Sequence, residues 1–179
     1  MNVSQWIALE LIRLGVQRVY TLQGGYSMYL NDAIGHSALT PVYMLHESGA
    51  AFTACGEAQY TGKLGVCVIT SGLAQTNALS GVASAWSDYL PVLFISGDIN
   101  SDLIMQRDAK GLRQGGQQDV PIMKLAYPIT KFCATIGDAR LVRSMFGSAV
   151  RIAHEIPMGP AWLDIPIDVQ QEEMPDEHL

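Results

Sequence analysis

Two stretches of the chain are apolar without any polar alternation, Gly65-Val66-Cys67-Val68-Ile69-Thr70 and Pro91-Val92-Leu93-Phe94-Ile95-Ser96. A strand with one face in water alternates apolar and polar residues, so such runs are typical of strands buried on both faces of a parallel sheet. Parallel neighbours need a crossover, and a helix is the usual one. The two runs therefore predict an α/β fold with a parallel sheet and helices on both of its faces.

Other strands and helices alternate along the chain in the same way. Strands are predicted at residues 18–22, 42–45, 65–70, 91–96, 129–134 and 161–165, and helices at residues 3–14, 27–34, 48–60, 72–86 and 138–155. The glycine- and glutamine-rich residues 97–118 are predicted as a long loop with one short helix, a kind of segment that is often functional. We expect a three-layer sandwich with a central parallel sheet of about six strands. Residues 1–169 form one domain in this prediction, and residues 170–179 form an acidic tail.

Composition excludes several classes of protein. The net charge is −6 and no basic cluster is present, which argues against a nucleic-acid partner. Charged residues make up only 16% of the chain and the mean hydropathy is +0.17, which indicates an apolar surface for subunit contact. No apolar run approaches the roughly 18 residues of a membrane span, and the N-terminus lacks a signal-peptide pattern. We therefore expect a cytoplasmic protein that does not contact membranes.

Cysteine and histidine spacing gives no metal-site pattern. The three cysteines are far apart, and the four histidines show no HExxH or comparable spacing. Cys55 and Cys67 lie in small-residue and apolar surroundings, so both are interpreted as packing residues. No metal-binding residue is predicted on this chain.

Three predicted strands end in small or polar residues, at Gln23-Gly24-Gly25, His46-Glu47 and Thr70-Ser71-Gly72. The carboxyl ends of parallel strands lie along one edge of the sheet, where α/β proteins bind ligands. A carboxylate among apolar and small residues holds a proton more readily than one in water, so Glu47 is suited to share a proton with a nitrogen heterocycle. The alternative is that Glu47 only stabilises the first turn of its helix.

Seven short segments of the chain form a set that follows one order from about residue 4 to residue 169. They are Leu22-Gln23-Gly24-Gly25, His46-Glu47-Ser48-Gly49-Ala50, Tyr60-Thr61-Gly62-Lys63, Thr70-Ser71-Gly72 with Thr76-Asn77, residues 90–97, Gln118-Asp119-Val120 and residues 159–166. In order and spacing this set resembles the pyrimidine-binding (PYR) domain of thiamine diphosphate enzymes of the acetohydroxyacid synthase and 2-oxo acid decarboxylase type. A set of motifs in register is far more specific than any one of them.

The resemblance implies a role for Glu47. In the family, the matching glutamate hydrogen-bonds the N1′ atom of the cofactor's aminopyrimidine and, in a dry pocket, stabilises the imino tautomer that removes the thiazolium C2 proton. The cofactor then acts as the electron sink while a 2-oxo acid loses carbon dioxide.

The other site residues are also implied by the resemblance. Cofactor binding is implied for Gly24, Gly25, Glu47, Thr70, Asn77 and Gln118, and a catalytic contribution for Glu47, Gln118 and Gln23. Simpler interpretations remain open: the two glycines form an ordinary turn, Gln118 is a solvated loop residue, and Asn77 is a polar residue of its helix. His46 is expected to pack or bond locally.

Two departures from the family pattern bear on the substrate. The family usually reads Ser-Gly-Pro-Gly-Ala-Thr-Asn where this chain has Ser71-Gly72-Leu73-Ala74-Gln75-Thr76-Asn77. Leu73 and Gln75 are therefore expected to alter the edge of the pocket. Gln23 stands where many members have proline and some lyases have histidine, so a donor there is placed to contact substrate.

Family enzymes also need a diphosphate-binding domain, marked by Gly-Asp-Gly and a later asparagine that hold a divalent metal. The near match Gly97-Asp98-Ile99-Asn100 lacks the second glycine and lies inside the PYR pattern, so we reject it as a metal site. Mg²⁺ and the diphosphate are expected on a partner domain, in an assembly with two copies of each chain. The chain is either one subunit of a split enzyme, as in sulfopyruvate decarboxylases, or an N-terminal fragment, and the acidic ending favours the former.

The leading functional hypothesis is a pyrimidine-binding subunit of a thiamine diphosphate-dependent 2-oxo acid decarboxylase or acetolactate synthase-like carboligase. It would be an enzyme only together with its diphosphate-binding partner. Two alternatives come from other classes: a non-catalytic PYR-like interaction or regulatory module, and a flavodoxin-like nucleotide-binding domain. Glu47 disfavours the first, and the lack of GxGxxG after the first strand disfavours the second.

Overall fold

The structure of the chain, a computed structural model, describes residues 1–175. Its strands are β1 (Arg18–Thr21), β2 (Thr40–Tyr43), β3 (Gly65–Ile69), β4 (Val92–Asp98), β5 (Phe132–Thr135) and β6 (Ala161–Pro166). Its helices are α1 (Val3–Arg13), α2 (Met28–Gly35), α3 (Glu47–Thr61), α4 (Leu73–Ser87), α5 (Ser101–Lys110), α6 (Ile122–Ala126), α7 (Ala139–His154) and α8 (Ile167–Gln171).

The six strands form one sheet in the order β2-β1-β3-β4-β6-β5, and every pair is parallel. The strands β3, β4 and β6 lie in the middle of the sheet and are buried along their whole length. This confirms that the unalternating apolar runs are central strands. From β1 the chain crosses to β2 on one side of the sheet, and from β2 it returns past β1 to β3 on the other side. The boundary between β1 and β3 is therefore a topological switch point, where α/β sheets bind ligands.

Each face of the sheet is covered by its own set of helices. Val66, Val68, Leu93 and Ile95 point to the side of α1, α2 and α7, where one apolar core lies. Alternate residues, including Cys67, Phe94 and Trp162, form a second core with α3, α4 and α6. Successive side chains of a strand point to opposite faces, so one apolar run supplies both cores. The three-layer α/β sandwich is thus confirmed.

The helices α3 and α4 approach unusually closely. A Cβ atom on Gly81 would lie 2.4 Å from the Cβ of Ala51, and one on Gly65 would lie 2.2 Å from the carbonyl oxygen of Ala54. Alanine and glycine therefore let α3 sit against both α4 and the start of β3. This packing sets where the first turns of the two helices lie relative to each other.

Several predicted bounds differ from the structure. The second strand ends at Tyr43 rather than at residue 45, and Leu45 is fully exposed at 102%. Strand β2 is an edge strand with Pro41 in it, so its apolar pattern is weak. The fifth strand begins at Phe132, because residues 127–129 form a 3-10 turn.

The predicted long loop contains more regular structure than expected. Strand β4 continues to Asp98, and α5 follows over ten residues. Arg107, buried in α5, pairs with Asp119 and so ties the remaining loop to the helix.

The predicted acidic tail begins within packed structure. Gln170 lies in α8 and is 0% exposed, whereas residues 176–179 lie outside the described part of the chain. Within residues 1–175, no helix has both the length and the apolar character needed to cross a bilayer.

Candidate functional site

The predicted site residues follow the carboxyl ends of β1, β2 and β3. Gln23, Gly24 and Gly25 come after β1, Glu47 begins α3, and Thr70 directly follows β3. The segment that joins β3 to α4 contacts each of the neighbouring loops. It therefore forms the middle of the site, and three contacts define the geometry.

Glu47 and Asn77 make the first contact. The Nδ2 atom of Asn77 donates to Oε2 of Glu47 at 3.0 Å, across the two closely packed helices. Glu47 is half-buried in the first turn of α3, and the N-cap of that helix is His46, whose Nδ1 accepts from the backbone N–H of Ser48 at 3.2 Å. His46 bonds locally, as expected. Among residues 1–175, no donor contacts the other oxygen of Glu47.

Gly24 and Thr70 make the second contact. A Cβ atom on Gly24 would lie 2.3 Å from Cγ2 of Thr70, so no larger residue fits there. The hydroxyl oxygen of Thr70 accepts from the backbone N–H of Tyr26 at 3.1 Å and fixes the turn that follows β1. The position of Gly25 is different, since a Cβ atom there would have no neighbour within 4 Å. Gly24 is needed by this fold, whereas Gly25 leaves open space above the rim.

Gln118 and Gly72 make the third contact. Gly72 has φ +71°, and a Cβ atom on it would lie 1.6 Å from the carbonyl oxygen of Gln118. Gln118 itself has φ +59°, in the left-handed region that side chains seldom adopt, and it is exposed. Its neighbour Asp119 is buried and accepts from Arg107 and from the backbone N–H of Gly115 at 2.8 Å. The loop is therefore anchored with the Gln118 side chain beside the turn after β3.

Gln23 lies apart from these contacts. It is exposed and, together with Gly24, lines a cavity of about 550 Å³ that extends away along α2. The other lining residues are Met28, Asn31, Asp32, Gly35, His36 and Tyr43. The structure thus places Gln23 next to the glycine turn but joins it to neither Glu47 nor Gln118.

The prediction that Gln75 lies at the pocket edge is wrong. Gln75 is 0% exposed, and its side chain points beneath the turn, where it bonds Ser96 and Asp164. Its backbone position, in the first turn of α4, resembles that of a rim residue, but the side chain faces the sheet. Leu73, the other departure from the family pattern, is exposed at the start of α4.

The sequence prediction missed this buried polar group. The available signal was a polar residue within each of two buried strands, Ser96 in β4 and Asp164 in β6. Burial raises the pKa of Asp164 well above its usual range, and the adjacent carboxyl of Asp98 raises it further.

The thiols of Cys55 and Cys67 belong to the apolar core that the sheet forms with α3, α4 and α6. Cys55 and Cys67 are buried, as predicted, and burial raises the pKa of Cys55 to about 11 and raises that of Cys67 as well. In the described part of the chain, no three His, Cys, Asp or Glu side chains are grouped as metal ligands.

The rim has the chemistry needed to hold a flat heterocycle. It offers a half-buried carboxylate with one oxygen oriented by Asn77, and open space over Gly25. The carboxylate can accept or share a proton at a ring nitrogen, and an amide side chain at Gln118 can donate to a second polar atom.

Comparison with known proteins finds a matching family and several relatives. Residues 1–124 match the family described as thiamine pyrophosphate enzyme, N-terminal TPP binding domain. The chain is 34% identical over 170 residues to acetolactate synthase isozyme 2 large subunit of Escherichia coli (strain K12), covering 95% of this chain and 30% of that protein. It is 36% identical over 184 residues to a probable acetolactate synthase large subunit of Methanococcus aeolicus, covering 99% and 28%. The chain thus spans less than a third of the length of these relatives.

Proposed function

Because the chain belongs to the thiamine pyrophosphate enzymes, as their N-terminal TPP binding domain, we propose that its rim binds the aminopyrimidine of thiamine diphosphate and that Glu47 activates it. The observation that carries the proposal is the Glu47 carboxylate: Asn77 donates to one of its oxygens at 3.0 Å, and among residues 1–175 no donor contacts the other. Family membership removes the alternative of a flavodoxin-like nucleotide binder.

The residues of the rim fit the pyrimidine ring. Gly24 and Gly25 present backbone without side chains, and the open space at Gly25 gives a flat ring room to approach. Thr70 supports this turn from below rather than by a free hydroxyl, since its oxygen already accepts from Tyr26. Gln118 approaches from the loop on the other side of Gly72.

When bound, thiamine diphosphate supplies a nucleophilic carbon and an electron sink for chemistry on 2-oxo acids. Glu47 would hold a proton between its free oxygen and N1′ of the pyrimidine. Asn77 would keep that oxygen in place by holding the other one. A proton shared in this way stabilises the cofactor most when water is excluded from the site. Glu47 is only half-buried in this chain, so the bound cofactor and the partner domain would have to exclude the remaining water.

We place Gln118 and Gln23 on the substrate side of the ring. Both are exposed amides, able to donate to the carboxylate or carbonyl oxygen of a small 2-oxo acid. The relatives are named acetolactate synthases, so a carboligase is the first candidate and a decarboxylase without a second substrate is the other.

A diphosphate-binding domain is the proposed partner, on this chain's own longer form or on a second chain. The helix α4 (Leu73–Ser87) contains no charged residue although much of one side is exposed. Leu73 at the start of α4 is exposed, as are Phe52 and Tyr60 on the neighbouring helix α3. Such a face suits a protein contact rather than water. The partner would hold Mg²⁺ and the diphosphate, in an assembly with two copies of each.

This proposal predicts that the chain alone binds the cofactor weakly. The charge-assisted contacts to diphosphate and metal would dominate affinity, and they are assigned to the partner. Calorimetric titration of the chain with thiamine diphosphate and Mg²⁺ tests this. Micromolar affinity without a second protein would place the diphosphate site on this chain and refute the proposed division.

The role of Glu47 is tested by Glu47→Gln in the assembly with a diphosphate-binding domain. The amide oxygen of the variant still accepts from Asn77, so the fold is retained, but it cannot share a proton with N1′. C2–H/D exchange of bound cofactor should slow about 10²- to 10⁴-fold.

Glu57→Gln is the matched control, since Glu57 lies on the same helix but bonds Arg18 and Tyr20 at 3.0 Å, away from the rim. Exchange in Glu47→Gln as fast as in the control would refute the role. An assembly whose wild-type form does not accelerate exchange would instead support a non-catalytic module.

A further inference from the structure

A buried polar cluster lies directly beneath the turn that joins β3 to α4. Its members, Ser71, Gln75, Ser96, Asp98 and Asp164, are all nearly inaccessible to solvent. They connect the first turn of α4 to the carboxyl ends of β4 and β6. We call this group the Gln75 cluster, and no member of it belongs to the cofactor-binding rim described above.

Gln75 uses all of its amide atoms within the cluster. Its Oε1 accepts from the backbone N–H of Gly72 at 2.8 Å. Its Nε2 donates to Oγ of Ser96 at 3.0 Å and to Oδ1 of Asp164 at 2.8 Å. The side chain thus ties the turn to two central strands of the sheet. A shorter or apolar residue at this position could not make both connections.

The carboxyl group of Asp98 holds the other end of the turn. Oδ1 of Asp98 accepts from the hydroxyl of Ser71 at 2.6 Å. Burial raises the pKa of both Asp98 and Asp164, and the neighbouring Asp98 carboxyl raises that of Asp164 further. The serine before Gly72 and the backbone N–H of Gly72 are therefore both fixed from below.

The Ser71–Gly72 turn positions two residues of the proposed site. Gly72 touches the carbonyl oxygen of Gln118, so a shift of the turn shifts the Gln118 loop. Asn77 lies one helical turn beyond it on α4 and holds Glu47 at 3.0 Å. The Gln75 cluster reaches the rim through these two contacts and through Thr70, which precedes Ser71 and accepts from the backbone N–H of Tyr26.

We propose that Gln75 is a positioning residue, which with Asp98 and Asp164 fixes the Ser71–Gly72 turn and thereby sets the places of Gln118 and of the Asn77–Glu47 pair. The consequence for catalysis rests on the proposed function, but the positioning itself is a property of the chain without cofactor. Gln75 acts through the turn and touches no reacting group.

The test is Gln75→Met in the full chain, which keeps the side-chain volume and removes the hydrogen bonds. By solution NMR without ligand, the Gly72 amide should exchange with solvent about tenfold faster, because its acceptor is gone. The side-chain amide signals of Asn77 should move, because its contact with Glu47 changes.

Gln170→Met is the matched control. Gln170 is equally buried, but its Nε2 donates to the carbonyl oxygens of Tyr26 and Ile165. A general loss of stability would be shared by both variants, whereas the Gly72 and Asn77 signals should change only in Gln75→Met.

If Gln75→Met does not fold, Ser71→Ala decides, since it removes only the bond to Asp98 and should also speed Gly72 exchange. Unchanged Gly72 exchange and Asn77 signals in a folded variant would overturn the proposal. Such a result would leave the Glu47 exchange experiment unaffected, so the two failures are distinguishable.

Discussion

The contact between α3 and α4 gives a prediction whose magnitude follows from the structure. In Gly81→Ala the new Cβ would lie 2.4 Å from the Cβ of Ala51 and 2.9 Å from its carbonyl carbon. The carbonyl carbon is backbone, so the clash is relieved only if α3 and α4 move apart. Overpacking of this kind costs about 1–3 kcal/mol, and a backbone obstacle favours the upper half of that range.

The same change also has a favourable part. Alanine in a helix is about 1 kcal/mol better than glycine, so the net loss in Gly81→Ala is about 1–2 kcal/mol. Gly56→Ala isolates the favourable part, because Gly56 lies on α3 and a Cβ there would have no neighbour within 4 Å. The two variants should therefore differ by the overpacking cost alone.

Thermal unfolding measures the difference. At roughly 2–4 °C per kcal/mol for a chain of this size, the melting temperature should fall by a few degrees in Gly81→Ala and rise by a few degrees in Gly56→Ala. The Asn77–Glu47 contact spans the same two helices, so Gly81→Ala should also move the Asn77 side-chain NMR signals. Equal stabilisation by both substitutions would refute the close helix contact and the argument that it positions Glu47.

Three further predictions concern other groups. Burial raises the pKa of Asp98 and of Asp164. Above the ordinary pKa of 3.8, the unfolded chain therefore releases a proton that the folded chain still holds. The stability of the folded chain should fall as the pH rises from 3.8 through the raised pKa values of the folded state. Asp98→Asn, with Arg107, Asp108, Asp119 and Lys124 nearby unchanged, should flatten that dependence in urea unfolding above the ordinary pKa of 3.8, and an unchanged slope would contradict the raised pKa of Asp98. Cys133 should react first with a thiol reagent at about pH 8, because burial raises the pKa of Cys55 to about 11 and raises that of Cys67, and rapid reaction of all the thiols would contradict this. Gln118→Ala and Gln23→Ala should alter preference within a panel of 2-oxo acids more than cofactor affinity, and a change in the cofactor Kd alone would reassign both residues to cofactor binding or packing.

The sequence was sufficient for the sheet, and for locating the proposed site residues near the carboxyl ends of strands, because those signals are local. Unalternating apolar runs follow from burial on both faces, and the glycines and Glu47 come within a few residues of the end of a strand. The bounds of β2 were not predictable in the same way, because an edge strand is only partly buried and its apolar pattern is weak. Leu45 extends the apolar run of the sequence, but it is fully exposed and lies beyond the end of the strand.

The role of Gln75 depended on residues distant in sequence. Whether a polar side chain in the first turn of a helix faces solvent or the sheet is decided by its partners, and these are Ser96 and Asp164. The length of helix α5 was underestimated for a related reason. It is largely polar, and the Arg107–Asp119 pair that ties it to the following loop joins two segments that no short pattern connects.

The central claim is that the rim formed by Gly24, Glu47, Thr70 and Asn77 receives the pyrimidine ring. It is tested most directly by NMR chemical-shift mapping of the full chain with thiamine diphosphate at millimolar concentration, comparing the wild type with Glu47→Gln. The largest shifts should fall on these residues and on Gly72, and the Asn77 side-chain shift should be reduced in the variant. Shifts centred on the cavity of about 450 Å³ lined by Trp86, Tyr89 and Lys131, at the amino ends of the strands, would contradict the claim.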